Sequence, residues 1–301
     1  MSRSSFLLGL ALVGLGVASC PADLILENYA AQRNDRYYQG NDRAFIGDPY
    51  NFSGVGKNNN PLTDSNTEWA TLISPHFALS ANHAAAGGTV TFYPGNNPSA
   101  TPITATVSNQ YLIPGTTPGE SDLELIQFGA AVAGVSQYAI VEDNEAALLN
   151  KQIFVYGQMN RLGTNNIDFF GLQQGSRDTY ALYYSYSPGN GNPNEAELND
   201  HDSGGPSFVI GDGNQMALIG THSFVGTDPM TNIDYSGDTY VSHYLPQIRA
   251  KIAALDTQFG YNDTVTTIRA VPEPSSLVLL GLGGGLLAWK AYHRRKAAMA
   301  V

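Results

Sequence analysis

One serine in this chain lies in a run of small residues that suits a nucleophile. Ser203 belongs to the segment His201-Asp-Ser-Gly-Gly-Pro206, in which few bulky side chains would shield its hydroxyl. Serine is a poor nucleophile at neutral pH, so it needs a general base and a group that orients the base. A reactive Ser203 therefore requires a base and an orienting group from elsewhere in the chain.

Three segments of the chain resemble chymotrypsin-type serine proteases. The segment around Ser203 is similar to the nucleophile loop of that family. Residues Trp69–His83 resemble its apolar strand, turn and second strand ending in Ala-x-His. Residues Ser121–Phe128 resemble its strand that begins with Asp-hydrophobic-x-hydrophobic. The three segments occur in the family's order, which differs from the order in subtilisins and in α/β-hydrolases.

The resemblance implies a role for one residue in each segment. Ser203 would be the nucleophile, His83 the general base and Asp122 the acid that orients the imidazole. Asp64 and Glu120 are alternatives to Asp122, because the motif around the acid is short. We therefore expect a His83, Asp122 and Ser203 triad.

The family forms its oxyanion hole from two backbone N–H groups, which here would be those of His201 and Ser203. The first position is usually glycine, because its backbone conformation disfavours side chains. Histidine tolerates a positive φ better than most residues. His201 therefore leaves two alternatives open, a preformed hole and a hole that forms only when substrate binds.

The strand after the nucleophile resembles the one that lines the family's primary specificity pocket. The resemblance implies that Ser223 supports the catalytic acid and that Phe224 forms a wall of the pocket. Val225 replaces a common glycine and would narrow the entrance. Glu197 would stand at the base, where a carboxylate favours a basic substrate side chain; the alternative is a solvated acidic residue of a loop.

The acid that precedes the nucleophile, Asp202, needs a positively charged partner if it is buried. In animal members of the family this partner is an N-terminal ammonium released by cleavage, and the chain has no convincing sequence for such a terminus. Several bacterial relatives use an internal arginine, which predicts an ion pair between Arg161 and Asp202 and no activating cleavage inside the catalytic domain. The alternative places Arg161 in an exposed loop.

The elements that must hold these residues are mostly short strands. Alternating apolar runs recur between Gly, Pro and Asn clusters from Trp69 onward, and only Tyr244–Phe259 has helical periodicity. The resemblance, which extends from Trp69 to Phe259, implies an all-β class with two six-stranded antiparallel β-barrels, the active site between them and a C-terminal helix. We expect the barrels at residues 66–140 and 150–242.

The N-terminal residues have the pattern of an export signal. Arg3 and the following apolar run predict a signal peptide over residues 1–22, and the context of Cys20 is also similar to a weak lipobox. An N-terminal arm over residues 23–65 and a trypsin-like protease domain over residues 66–262 follow. The catalytic region contains no cysteine, so core packing alone would stabilise it.

The C-terminal residues closely resemble a PEP-CTERM sorting signal. We expect a linker over residues 263–274 containing Val271-Pro-Glu-Pro274, a transmembrane helix over 275–292 and a basic cytoplasmic tail over 293–301. The resemblance implies processing by an exosortase at the surface of a Gram-negative bacterium, after transient anchoring in the inner membrane. A plain membrane anchor is the alternative.

The net negative charge of the chain limits which partners it can bind. Residues 23–270 contain 10 basic and 25 acidic residues, which disfavours nucleic acid and anionic membranes as partners. We expect a protein or peptide substrate, signal peptidase and exosortase as partners, and no cofactor or metal.

Three functions fit these observations. The leading hypothesis is an exported serine endopeptidase that forms an acyl-enzyme. The alternative is a catalytically impaired trypsin-fold protein that binds at the surface or in the matrix, in which His201 has disabled the oxyanion hole. A serine esterase is a third, weakened by the absence of a Gly-x-Ser-x-Gly elbow.

Overall fold

The fold is known from a computed structural model, which describes residues 23–58, 68–115, 120–174 and 177–271. Within these ranges the chain is mostly β. The strands are β1 (Ile25–Leu26), β2 (Val55–Asn58), β3 (Trp69–Ser74), β4 (Phe77–Ser80), β5 (Thr89–Phe92), β6 (Ile103–Pro114), β7 (Glu120–Phe128), β8 (Ala139–Val141), β9 (Gln152–Gly157), β10 (Arg161–Asn166), β11 (Phe169–Gln173), β12 (Thr179–Tyr186), β13 (Ala196–Glu197), β14 (Pro206–Gly211), β15 (Gln215–Thr227), β16 (Asp234–Tyr240) and β17 (Thr267–Ile268). The α-helices are α1 (Ala31–Asn34), α2 (Glu145–Leu148) and α3 (Leu245–Phe259).

The first sheet is a closed six-stranded barrel in the order β2-β3-β4-β7-β6-β5. All its pairs are antiparallel, as expected. Strand β2 lies in the region expected to be an arm. Gly56 lets β2 pack closely against β5, because a Cβ there would lie 2.7 Å from the Phe92 and Val90 side chains.

The second sheet differs from the expected second barrel. It has nine strands, seven of which follow the order β10-β9-β14-β15-β16-β12-β11, and its two end strands do not pair with each other in the described residues. Other segments cover the edge of β10. Asp35 of the N-terminal arm forms a bridge with Arg161, and Glu195 forms one with Thr164. The arm thus takes the place of a closing strand and protects the sheet edge.

Helix α3 follows directly from a 3-10 turn at Val241–Tyr244. The predicted apolar face is confirmed, since its residues are buried: Leu245, Ile248, Ile252 and Leu255. The helix ends at Gly260, whose φ of 75° is a left-handed conformation that glycine adopts without steric cost. The largest buried cluster includes this face together with residues of both sheets, such as Trp69 and Tyr156.

Residues 263–271, which belong to the predicted linker, contact the folded body. Strand β17 pairs in parallel with β8, and Val265 is buried. Ala270 forms a bridge with Gly211, and the Lys151 ammonium donates to the carbonyl of Val271 at 2.6 Å. The chain therefore stays on the folded body as far as Val271.

Candidate active site

A cavity of about 610 Å³ is lined by two of the three residues of the predicted triad, His83 and Ser203, and the third, Asp122, is buried behind His83. His83 lies in a 3-10 turn that follows β4, and Asp122 lies on β7 of the first barrel. Ser203 lies in the loop that precedes β14 of the second sheet. The cavity therefore lies between the 3-10 turn of the first barrel, the nucleophile loop and strand β15 of the second sheet.

The imidazole of His83 joins the other two side chains. Its Nε2 lies 2.7 Å from the Ser203 hydroxyl, and its Nδ1 lies 2.7 Å from Oδ2 of Asp122. An ionised carboxylate only accepts hydrogen bonds, so Nδ1 carries a proton, and in the neutral imidazole Nε2 then has a lone pair toward Ser203. This arrangement can remove a proton from the serine hydroxyl.

The carboxylate of Asp122 is held in several ways. It is 5% exposed and accepts hydrogen bonds from the His83 backbone N–H at 3.0 Å and from the Ser223 hydroxyl. Its own N–H donates to the Thr179 hydroxyl on β12 at 3.1 Å. Of the sequence alternatives, Asp64 lies outside the described residues, and only the backbone of Glu120 is described.

Two glycines let the nucleophile loop pack closely. Gly204 has a φ of 81°, and a Cβ there would lie 2.8 Å from the Ser80 hydroxyl. A Cβ on Gly205 would lie 2.6 Å from the His222 ring. The paired glycines therefore bring Ser203 close to the end of β4, which leads to the turn that carries His83.

His201 has a left-handed backbone, with a φ of 73°. Its side chain is exposed at the cavity, and its carbonyl accepts a hydrogen bond from the side-chain amide of Gln158. Within the described residues, the N–H groups of His201 and Ser203 donate to no protein acceptor. Both groups remain able to donate to a bound oxyanion.

The predicted specificity residues separate into two groups. Ser223, Phe224 and Val225 line the cavity, and Val225 is 48% exposed. Glu197 is not among the lining residues described; it lies on β13, paired with Ile25 of the arm. Burial, followed by Asp234 and Glu195, raises the pKa of the Glu197 carboxyl to about 7.

Two carboxylates that the sequence did not single out line the cavity. They belong to Asp200 and Glu68, and a hydrogen bond from the Asn58 side chain holds the Glu68 carboxylate. Asp200 lies three residues after Glu197. A shift of three residues in the alignment of this loop with the protease family would have placed Asp200, instead of Glu197, at the base of the pocket.

The predicted ion pair between Arg161 and Asp202 is wrong. Arg161 instead contacts two aspartates of the arm, with Nη1 2.7 Å from Asp23 and Nε 3.4 Å from Asp35. The guanidinium also lies 4.1 Å from the centre of the Tyr29 ring. The arm, which had no recognisable pattern in the sequence, supplies nearer acids than the nucleophile loop does.

Asp202 has other partners. Its buried carboxylate accepts from the backbone N–H of Gln158 at 2.6 Å and from that of Asn199 at 2.8 Å. Burial raises the pKa of Asp202 to about 6, although His222, the two N–H groups and Lys57 act in the opposite direction. The positive charges near Asp202 are therefore those of Lys57 and His222.

Both ring nitrogens of the buried His222 face oxygens. Nδ1 lies 2.8 Å from Asp238, and Nε2 lies 3.1 Å from the carbonyl of Tyr156. A carbonyl and an ionised carboxylate only accept, so both nitrogens carry protons and the ring is an imidazolium. Burial works to lower the pKa of His222, but Asp238 and Asp202 outweigh it and raise it above the ordinary value. In the sequence, His222 directly precedes Ser223.

Comparisons with known proteins confirm the resemblance of the C-terminal residues to a sorting signal. Residues 270–296 match the model of the PEP-CTERM protein-sorting motif. Solved structures match as well, 662 chains in number. One of them is a Glu endopeptidase in complex with MPD, with a TM-score of 0.43, 12% identity, and coverage of 67% of this chain and 91% of that chain. No curated protein matches.

The C-terminus carries a PEP-CTERM motif, as the sequence predicted. That motif indicates a protein that is exported and sorted to the cell surface, and it implies processing by an exosortase. No helix in the described ranges is long and apolar enough to cross a membrane. The predicted signal peptide (1–22) and transmembrane helix (275–292) lie outside the described residues.

Proposed function

We propose that this protein is an exported serine endopeptidase. The observation that carries the proposal is the contact of 2.7 Å between the Ser203 hydroxyl and Nε2 of His83, whose Nδ1 contacts Asp122 at 2.7 Å. A hydroxyl, a lone pair that can take its proton and a buried acid that fixes the tautomer are the parts that acyl transfer requires.

The reaction follows from these contacts. The Ser203 oxygen attacks the carbonyl carbon of a peptide bond while its proton passes to Nε2 of His83. The imidazolium then gives that proton to the leaving amine, which leaves an ester between substrate and Ser203. A water molecule, deprotonated by His83, attacks this ester and releases the acid and the free serine. The N–H groups of His201 and Ser203 would hold the negative oxygen in both steps.

Export determines where the proposed enzyme would meet its substrate. A protein sorted by a PEP-CTERM motif acts outside the cytoplasm, so its substrate is a protein or peptide of the cell surface or its surroundings. The predicted signal peptide and the membrane helix with its basic tail belong to this proposal as targeting segments. Signal peptidase and exosortase would remove the terminal ones.

One observation favours a second candidate, a trypsin-fold protein that binds at the surface without catalysis. His201 has its left-handed backbone at a position where a side chain is unfavourable. If its N–H turns away when substrate is present, the triad remains but the oxyanion has a single donor. Loss of one donor typically lowers kcat by about a hundredfold to a thousandfold.

A fluorophosphonate probe and casein hydrolysis test the proposal. We expect the purified protein to be labelled at Ser203 and to hydrolyse casein. Ser203→Ala and His83→Ala should each lower peptide hydrolysis on the order of a million-fold, and the two losses should not add, because the residues act as a unit. Ser99→Ala, at an exposed serine, is the control and should match wild type.

Three results would decide against the proposal. Hydrolysis by Ser203→Ala at the wild-type rate would contradict the role of the serine. Absence of labelling and of hydrolysis in wild type would favour the binding protein. Hydrolysis of a small ester without hydrolysis of casein would favour an esterase.

A further inference from the structure

We infer that Lys57 is a positioning residue for the proposed oxyanion hole, acting through the side chain of Gln158 on the carbonyl of His201. Its effect on catalysis rests on the proposed function, whereas its effect on the nucleophile loop does not. Lys57 belongs to the first barrel and His201 to a loop of the second half, so the link joins the two halves of the site.

Lys57 is in an unusual place for a lysine. It lies on β2, is 1% exposed and pairs in register with Trp69 of β3. Its ammonium lies 3.9 Å from the centre of the Trp69 ring and donates to Oε1 of Gln158 at 2.9 Å. A buried ammonium is stable only with such partners. The charge is therefore directed at Gln158 by the packing of the barrel.

The ammonium fixes which way the Gln158 amide points. An ammonium only donates, so the oxygen of the amide must face Lys57 and the NH2 group must face away from it. That NH2 group donates to the carbonyl of His201. Loss of the ammonium would remove the support that Lys57 gives to this orientation, and a flipped amide would place its oxygen against the His201 carbonyl.

Gln158 also holds the next residue of the loop. Its backbone N–H donates to the carboxylate of Asp202 at 2.6 Å, and Asn199 N–H donates to the other carboxylate oxygen at 2.8 Å. The His201 carbonyl and the Asp202 side chain are thus fixed from the same residue. The peptide plane between His201 and Asp202 lies between the two N–H groups of the proposed hole, and it cannot rotate without breaking the bond from the Gln158 side chain to the His201 carbonyl.

This link explains how His201 can keep a φ of 73°. A non-glycine residue in the left-handed region persists only where its surroundings determine it. The bond from Gln158 to the carbonyl supplies that constraint, and Lys57 sets the direction of the bond. The His201 and Ser203 N–H groups consequently keep a fixed direction before substrate arrives, which is the condition for strong oxyanion stabilisation.

Lys57→Met tests the inference, because methionine keeps an unbranched apolar stem over Trp69 and removes the charge. We expect kcat for a peptide to fall about tenfold to a hundredfold with little change in KM, since an oxyanion contact is made in the transition state. The matched control is Lys251→Met on α3, where the ammonium also lies over an aromatic ring, Tyr111, at 4.9 Å. This control should keep the wild-type kcat.

Two further variants separate positioning from packing. Gln158→Glu keeps an acceptor for Lys57 but has no NH2 group that could donate to His201. We therefore expect kcat to fall in Gln158→Glu as it does in Lys57→Met. Gln158→Glu keeps the inference testable if Lys57→Met folds poorly. Lys57→Arg keeps a buried donor and should restore part of kcat. Equal kcat in wild type, Lys57→Met and Gln158→Glu would overturn the inference.

Hydrogen exchange keeps the test independent of catalysis. The amides of residues 199–204 should exchange faster in Lys57→Met and in Gln158→Glu than in Lys251→Met. If wild type neither reacts with the fluorophosphonate nor hydrolyses peptide, the proposed function fails, and faster exchange still supports the positioning. Unchanged exchange in both variants overturns the positioning whatever the activity.

Discussion

At the scale of single residues, the left-handed backbone of His201 leads to a prediction. A histidine with a φ of 73° is strained relative to glycine, at a cost on the order of 1 kcal/mol. We expect His201→Gly to raise the melting temperature slightly and to keep kcat near wild type, because only the backbone of this residue is needed. Calorimetry and peptide kinetics measure both.

The control for this variant is Asn232→Gly, at another left-handed residue with a φ of 56° in a turn. It should give a similar or smaller gain in stability, because asparagine tolerates this region well. A fall in kcat of more than tenfold in His201→Gly would mean that the imidazole itself takes part in catalysis.

A buried carboxyl on β7 gives a prediction about pH. Glu124 is 7% exposed, and burial, opposed by Arg177, raises its pKa to about 7 from an ordinary value of 4.5. The folded protein therefore holds this proton more tightly than the unfolded chain does. The resulting stability is fully present below pH 4.5 and is lost as the pH rises through 7.

Glu124→Gln should remove this dependence, because glutamine is neutral at every pH. Urea unfolding at pH 8 should find the variant more stable than wild type, by up to about 3 kcal/mol, with a smaller difference at pH 5. Glu142→Gln is the control, since the pKa of the exposed Glu142 lies below its ordinary value through contacts with Thr267 and Arg249. A loss of stability at pH 8 in Glu124→Gln would contradict the argument.

The sequence located the candidate triad better than its surroundings. His83, Asp122 and Ser203 each lie in a local motif, and the structure brings their side chains together. Lys57 and Gln158 have no such motif, because their contact joins residues 101 positions apart and depends on how the barrel packs. Local patterns thus identify reacting groups, whereas the groups that position them require the tertiary structure.

At the scale of secondary structure elements, Arg161 connects the arm to strand β10. Its guanidinium is mostly buried and contacts Asp23 and Asp35. Arg161→Met should therefore lower the free energy of unfolding by about 1 to 3 kcal/mol, since it leaves two carboxylates without their cation. It should leave kcat/KM close to wild type, because Arg161 does not contact Asp202.

Chemical denaturation and peptide kinetics test this pair of effects. The matched control is Arg249→Met, whose pair with Glu142 at 3.5 Å is exposed and should change stability by at most about 0.5 kcal/mol. A large loss of kcat in a folded Arg161→Met protein would restore the original hypothesis of a role beside Asp202.

The elements themselves were partly predictable. Helix α3 follows from its apolar period, and the strands of the first barrel follow from alternating runs. Strand β2 was missed because its sequence, Val-Gly-Lys-Asn, has neither alternation nor an apolar run. The second sheet stays open, and the arm contacts its edge strand β10. The sequence did not predict this contact, because the arm has no periodic pattern of apolar residues.

At the scale of the whole molecule, the folded body ends very close to the sorting signal. The chain is held on the body to Val271, whose carbonyl accepts from Lys151. Only Pro272, Glu273 and Pro274 separate it in sequence from the apolar segment that begins at residue 275. Three residues span at most about 11 Å. If the apolar segment crosses the membrane as predicted, an unprocessed protein would therefore hold its folded body against the membrane surface.

Processing should free the body, which gives a final prediction. In a host with an exosortase, intact mass spectrometry of the cell-surface protein should find a form that lacks Trp289 and all later residues. In a host without one, the protein should remain in the membrane fraction with its body outside. Glu273→Ala alters the Pro-Glu-Pro motif. In the host with an exosortase, this variant should keep its C-terminus and remain in the membrane fraction. Recovery of an intact C-terminus from the cell-surface protein would contradict the sorting mechanism, because processing that leaves the basic tail in place cannot detach the body from the membrane.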